Sequence, residues 1–273
     1  MTFVRSGKVK DMYDMGNDIL KFKFSDRVSA FDVKFDTPIP QKGKILADFS
    51  NFWFNKLNLD NHFICKVSED EIVTTKLDMI PMECIVRGYF YGSYTKRYFR
   101  GEIDTDMKFT PDMIGAKFPK PIFDPTTKDE HDVPVTKEEA IDMKLVMEEE
   151  YKYLKRRSIE VYNIMYEICD KAGFILVDLK LEFGKKNGRI YLGDSIGPDE
   201  YRIWDKSKYK VGVKQESFDK QILRDWLIEN GYTTQFEEAF KEGKTPVSPE
   251  IPDHIKNKIT EKYLECYKKL KNI

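Results

Sequence analysis

The stretch LVDLKLEFG, Leu176 to Gly184, constrains the fold more than any other part of the chain. Asp178, Lys180 and Glu182 fall at every second position, with Val177, Leu179, Leu181 and Phe183 around them. Period two is the pattern of a strand, whose alternate side chains share a face. One face is therefore apolar and meets a core. The other carries two carboxylates and an ammonium, and is either half-solvated, as in many antiparallel sheets, or part of a site. RIYLGD, Arg189 to Asp194, reads as its hairpin partner through the turn GKKNG, and it ends on a further carboxylate. Carboxylates gathered at strand ends beside a lysine are a common way to hold Mg²⁺ against a nucleotide phosphate.

The first eighty or so residues look β-rich. GKVKDMY (Gly7 to Tyr13) and ILKFKF (Ile19 to Phe24) predict a hairpin turning at Gly16-Asn17-Asp18, and SDRVSAFD (Ser25 to Asp32) predicts a polar loop. Ile45, Phe49, Phe52, Trp53 and Leu57 share a face of a helix over Ile45 to Leu57. Short strands are expected at Ile72 to Lys76 and Glu83 to Arg87, with a break at Met79-Ile80-Pro81 between them. Pro111 to Pro134 reads as a long ordered loop. Thr136 and Glu139 form a capping box for a helix running to about Lys171. Phe218 to Glu229 and Ile255 to Leu270 predict two C-terminal helices.

Four further stretches carry groups suited to anions. In IPMECIVRGYFYGS, Arg87 offers a planar fork for phosphate or carboxylate, and Gly92-Ser93 offers backbone N–H groups and a hydroxyl. An ordinary turn with a surface arginine is the plainer alternative. In GPDEYRIWD, Arg202 lies in a turn-rich segment soon after Asp194. FDPTTKDEHD holds His131 beside Asp132 and near Lys128. In GKVKDMY, Lys8 and Lys10 alternate on one strand face after a glycine, either closing over phosphates or lining a solvated edge.

The length, 273 residues, allows one large domain or two lobes. The net charge of -1 disfavours a broad nucleic-acid surface. The four cysteines are scattered, with no CxxC pair, which argues against a zinc site or disulfide framework and for a reducing cytosol. MTFVRSGKVKD lacks the apolar core of a signal peptide, and no apolar run approaches a membrane span. A cytoplasmic protein with no membrane or nucleic-acid partner is expected; a homo-oligomer is compatible with the sequence, which does not set the oligomeric state.

Taken together these stretches resemble the phosphoribosylaminoimidazole-succinocarboxamide (SAICAR) synthetase family of purine biosynthesis. LVDLKLEFG matches one family signature at every specified position. IPMECIVRGYFYGS matches the other except at Tyr91, where Thr or Ala is usual. GKVKDMYD, SDRVSAFD, FDPTTKDEHD, LGDSIGPDEYRIWD and SFDKQILRDW follow in the family's order. The resemblance implies an α+β, two-lobed fold: an antiparallel N-terminal sheet, then an ATP-grasp-like α+β domain with C-terminal helices, and ATP between the lobes. Residues 1–80 would form the β-rich ATP-binding lobe and 81–273 the catalytic lobe.

The implied reaction joins carboxyaminoimidazole ribonucleotide (CAIR) to L-aspartate, with ATP cleaved to ADP and phosphate through an acyl phosphate. Glu182 and Asp194 match the Mg²⁺ carboxylates. Lys180 and Asp178 fall in the substrate pocket, and Arg87, Ser93 and Arg202 in the cradle of the CAIR phosphate. Lys8 and Lys10 match the hairpin over the ATP phosphates, and Met79 to Glu83 the adenine-lining segment. Lys128, His131 and Asp132 match the loop where ATP meets the other substrates. Arg224, in DKQILRDW, is a candidate for the aspartate pocket. Ser195, where many relatives carry an acid, is a second departure besides Tyr91.

Two rival classes are weaker. Asp178-Leu179-Lys180 echoes the catalytic loop of protein kinases, but no His-Arg precedes it, Phe183 stands where an Asn is needed, and there is no GxGxxG. An RNA-binding module would need a basic, aromatic face, for which Arg97 to Arg100 is the one candidate cluster.

Overall fold

The computed structural model describes residues 1–128 and 132–273. Thr2–Ser6 (β1), which the sequence did not announce, pairs antiparallel with Lys10–Gly16 (β2). β2 turns back into Ile19–Phe24 (β3). Asn17 and Asp18 sit at φ 52° and 57°, the conformation that two-residue hairpins favour and that Asn and Asp tolerate. The polar loop expected over Ser25 to Asp32 instead holds Val28–Ala30 (β4), which pairs with Val33–Phe35 (β5). The valines, not the flanking charges, decide this: Val28, Val33 and Phe35 are buried. Lys42–Leu57 (α1) buries Ile45, Phe49, Trp53 and Leu57, with Phe54 in place of the half-exposed Phe52. Phe63–Lys66 (β6) and Glu71–Thr75 (β7) complete a five-stranded sheet in the order β1-β2-β3-β7-β6. Phe22, Phe24, Leu46, Ala47 and Ile72 form its core.

Asp78–Tyr89 (β8) runs unbroken through Pro81, where a break was expected. The Pro81 carbonyl accepts from Lys128 N at 3.2 Å, and its missing N–H is tolerated at this exposed position. Ser93–Phe99 (α2) follows. The supposed long loop from Pro111 to Pro134 contains Lys117–Phe123 (β9) and Thr126–Thr127 (β10), both antiparallel to β8. Thr136 and Glu139 do form the capping box. The helix it starts, Lys137–Asp142 (α3), is short, because Lys144 turns to φ 57° and Leu145 N bonds back to Ala140 O. Three glutamates then open Glu148–Lys171 (α4), where acids suit the positive end of the helix dipole.

Phe174–Lys186 (β11) and Arg189–Leu192 (β12) form the expected hairpin strands, and Tyr201–Asp205 (β13) lies antiparallel to β11. Gln221–Glu229 (α5) starts at the Asp219 side chain, which accepts from Gln221 N at 2.6 Å. Tyr232–Lys241 (α6) and Asp253–Lys271 (α7) close the chain.

Contacts divide the chain into Met1–Asp78 with Gly184–Asp199 and Phe218–Asn272, and Met79–Phe183 with Glu200–Ser217. The sequence-based division assigned everything after residue 80 to one lobe; the structure instead groups 184–199 and 218–272 with the N-terminal residues. The reason is bonding at long range. His62 N donates to Leu192 O at 2.9 Å, Leu192 N donates to Asp60 O at 3.0 Å, and Thr260 Oγ1 donates to Pro40 O at 2.9 Å.

In the second unit β8 and β11 are neighbours, flanked by β9, β10 and β13. Tyr89, Ile175, Val177 and Trp204 form one core cluster, and Phe90, Tyr94 and Phe118 another. The Tyr162 hydroxyl of α4 donates to Leu176 O at 2.7 Å. It occupies the space beside Gly88, where a Cβ would come within 1.8 Å of it.

Candidate active site

β11 is buried on both sides. Val177, Leu179, Leu181 and Phe183 lie in the core, and Asp178 and Glu182 are also buried, at 7% and 5% exposure. The half-solvated alternative for this strand is therefore wrong, and each buried charge needs a partner. Those partners fall into two sets.

Around Asp178 the partners are arginines. Asp178 lies opposite Arg202 in the β11–β13 register, and the Arg202 guanidinium bonds its carboxylate. Arg202, expected in a turn, thus sits on a strand. Arg87 Nη1 stands 3.8 Å from Asp178 Oδ2. Arg87 Nε donates to Asp124 Oδ2 at 2.5 Å, and its Nη2 donates to Ser93 Oγ at 3.1 Å. Arg97 Nη2 donates to both Asp124 oxygens, at 2.6 and 2.5 Å. Three guanidiniums therefore share Asp124 and Asp178. Gly92, at φ 68°, permits this packing, since a Cβ there would lie 2.7 Å from Arg202 Nη1. The Tyr91 ring packs edge-on against Trp204, with the Arg202 guanidinium carbon 5.8 Å from its centroid.

Around Glu182 the partners are lysines. Lys128 Nζ bonds the Glu182 carboxylate and stands 3.8 Å from Glu83. Lys180 Nζ donates to Glu83 Oε1 at 2.7 Å and lies 3.6 Å from Glu182. Burial pulls the Lys180 ammonium down, but Glu83 and Glu182 outweigh it and hold its pKa above the ordinary lysine value. Lys180 is a fixed cation at neutral pH and not a proton acceptor. Met79 is exposed at the start of β8. Asp132 is exposed, and His131 falls outside the described residues.

In the first unit, Lys10 is buried and donates to Asp194 Oδ1 at 2.7 Å and Ser195 Oγ at 2.8 Å. Ser195 thus supplies a neutral acceptor to Lys10. Lys8 is exposed and pairs with exposed Asp32 at 3.3 Å. The His62 ring nitrogen Nε2 lies 2.9 Å from the Asp194 carbonyl, and burial pushes its pKa down to about 4. Lys42 is fully buried against Asp199 at 2.7 Å. Burial works to raise the Asp199 pKa, yet the charges of Lys42 and Lys220 override it and hold the carboxyl below the ordinary carboxylate range. Arg224, on α5, lies within electrostatic reach of the Tyr263 hydroxyl.

Among the described residues no three His, Cys, Asp or Glu side chains are grouped to hold a metal. Mg²⁺ bound through nucleotide phosphates needs only one or two carboxylates. Glu182 and Asp194 are each an oxygen donor facing an ammonium, Lys128 and Lys10 respectively, so each carboxylate taken by itself has the chemistry to meet such an ion.

A family model described as SAICAR synthetase matches residues 3–239. The chain belongs to the SAICAR synthetase family. It is 54% identical to the phosphoribosylaminoimidazole-succinocarboxamide synthase of Nitrosopumilus maritimus over 270 residues, covering 99% of this chain and 98% of that one. Among solved structures it resembles the SAICAR synthase of Saccharomyces cerevisiae complexed with SAICAR, at a TM-score of 0.82 and 30% identity, covering 99% and 95% of the two chains. It also resembles a SAICAR synthetase in complex with ADP, at a TM-score of 0.75 and 28% identity, covering 98% and 97%.

For this member of the SAICAR synthetase family, the structure brings Asp178, Arg202, Arg87 and Ser93 together, and separately Lys180, Glu182, Glu83 and Lys128. Sequence reading missed Asp124, His62 and the Lys42–Asp199 pair. Asp124 was within reach: it stands in the FDPTTKDEHD block, but its role depends on the β8–β9 register, which pairs Arg87 with Ile122.

Proposed function

We infer that this chain is an ATP-dependent ligase of purine biosynthesis, joining CAIR and L-aspartate to give SAICAR, ADP and phosphate. The observation that carries this is the charged face of β11, which meets arginines at Asp178 and lysines at Glu182. SAICAR bound to the yeast relative and ADP bound to another give the two ligand types that such a face suits.

The arginine set fits a phosphate monoester. Arg87 and Arg202 present planar forks, and Ser93 adds a hydroxyl. Asp178 and Asp124 hold those forks before substrate arrives, so little ordering is left for the binding step. The lysine set fits the transferring phosphoryl group and the CAIR carboxylate. Lys180 stays charged and offsets developing negative charge, while Lys128 and Lys10 each hold a carboxylate in place. Mg²⁺, when bound at Glu182 and Asp194, would supply neutralisation of the polyphosphate. Met79 to Glu83 is assigned to the adenine side, Lys8 to the phosphate hairpin, Asp132 and His131 to the junction loop, and Arg224 to aspartate. A carboxylate is a poor electrophile, so phosphorylation of CAIR gives it a leaving group that the aspartate amine displaces.

The reaction is placed in the cytoplasm, a reading supported by four cysteines that are all free thiols. Among the described residues no helix is long and apolar enough to cross a membrane.

The test is ADP release from Mg·ATP and CAIR with and without L-aspartate, with SAICAR followed by absorbance. Aspartate-dependent ADP release matched by product is expected. ATP turnover on another acceptor without SAICAR would overturn the assignment.

A further inference from the structure

Asp194 follows β12 with φ at 57°, a left-handed conformation uncommon outside glycine that Asp tolerates and that neighbouring groups can fix in place. Two groups do so from opposite ends of the residue. Lys10 Nζ grips the carboxylate at 2.7 Å. His62 Nε2 meets the backbone carbonyl at 2.9 Å. A carbonyl oxygen only accepts, so Nε2 carries the hydrogen and donates it.

The histidine is itself fixed. Its backbone N donates to Leu192 O at 2.9 Å and its O accepts from Thr75 N at 2.7 Å. Its ring lies 5.7 Å from the Phe22 ring and 5.3 Å from the Phe54 ring, and the residue is 3% exposed. A purely apolar side chain would suit those aromatic walls better, because burying an imidazole costs free energy unless its polar atoms are used. The polar edge is spent on the Asp194 carbonyl.

We propose that His62 is a positioning residue for Asp194, setting the backbone turn that aims this carboxylate at the Mg²⁺·nucleotide. The inference rests on the reading of Asp194 as a metal carboxylate. His62 does not touch substrate; it acts through the turn. Partners that orient a metal-binding group from behind typically change metal affinity by about 10–100-fold when removed.

The test uses the full chain as wild type, His62→Phe, His62→Gln and Asp194→Asn. ADP binding is measured by calorimetry across a Mg²⁺ series, beside KM for ATP, KM for CAIR and Tm. His62→Phe keeps the bulk and loses the donor; if it does not fold, His62→Met takes its place. The expected result is an approximately tenfold rise in the Mg²⁺ needed for half-maximal ADP binding, a matching rise in KM for ATP, and an unchanged KM for CAIR. Gln, whose amide nitrogen reaches where Nε2 lies, should restore both to within about threefold of wild type.

A donor-less variant with wild-type Mg²⁺ dependence overturns the proposal. So does a variant that loses only Tm, or a Gln variant no better than the donor-less one. Asp194→Asn separates the two layers. If it leaves Mg²⁺ dependence unchanged, the reading of Asp194 itself fails. If it shifts that dependence and the donor-less variant does not, only the role of His62 fails.

Discussion

The two ends of the charged face of β11 solve the same problem with different chemistry. At Asp178, three guanidiniums share two carboxylates in a lattice of planar forks. At Glu182, two ammonium groups stand over two glutamates, with Lys128 and Lys180 both about one-third exposed. Forks lock geometry, whereas ammonium groups are point charges on flexible stems that can trade partners. The arginine end suits a ligand group of fixed shape, such as a phosphate monoester. The lysine end suits charge that moves during reaction, such as a phosphoryl group in transfer. Four positions separate Asp178 from Glu182, and Lys180 lies between them on the same face, so on the proposed assignment one strand carries both tasks.

The comparison breaks first at Glu182. Glu182→Gln should reduce kcat/KM by about a hundredfold or more and weaken Mg²⁺-dependent ADP binding, with KM for CAIR little changed. Steady-state kinetics and calorimetry check this, and near-normal turnover would remove Glu182 from the metal site. Arg87→Lys keeps the charge at the other end and loses the fork. It should raise KM for CAIR by about tenfold and leave KM for ATP alone. A shift in the ATP constant instead would mean that the two ends are not separate.

Gly92→Ala sharpens the picture of the arginine lattice. It forces a Cβ toward Arg202 at a positive φ, so a Tm loss equivalent to about 1–2 kcal/mol is expected, with KM for CAIR rising several-fold. Smallest of all, Tyr91→Thr replaces the ring beside Arg202 with a small side chain. A change of about two- to fivefold in KM for CAIR is expected, in line with one partly exposed cation–π contact. An effect larger than that of Gly92→Ala would reverse the ranking and make Tyr91 a main support of the lattice.

Much of this face was legible, because period two in LVDLKLEFG is a local pattern and burial of the alternate apolar residues follows from it. The hairpins, the capping box at Thr136 and the face of α1, apart from the exchange of Phe52 for Phe54, were legible for the same reason. What failed was contextual. Pro81 predicted a break, but a proline at an exposed position with only its carbonyl in use leaves β8 intact. Arg202 reads as part of a turn because Gly197 and Pro198 precede it, and only pairing with β11 makes it a strand residue. Lys144 stops α3 by its backbone conformation with no glycine to signal it. His62 and Lys42 bond to residues 132 and 157 positions away, a separation no local period can encode.

The hydroxyl of Tyr162 standing in the place of a side chain at Gly88 has an evolutionary consequence. The two positions can change only in one order. A descendant must shorten Tyr162 before it can accept even a methyl group at 88, and the intermediate has lost the bond to Leu176 O while gaining nothing in return. Each residue therefore guards the other, and a lineage that keeps the tyrosine keeps the glycine, whatever happens to the ligands nearby.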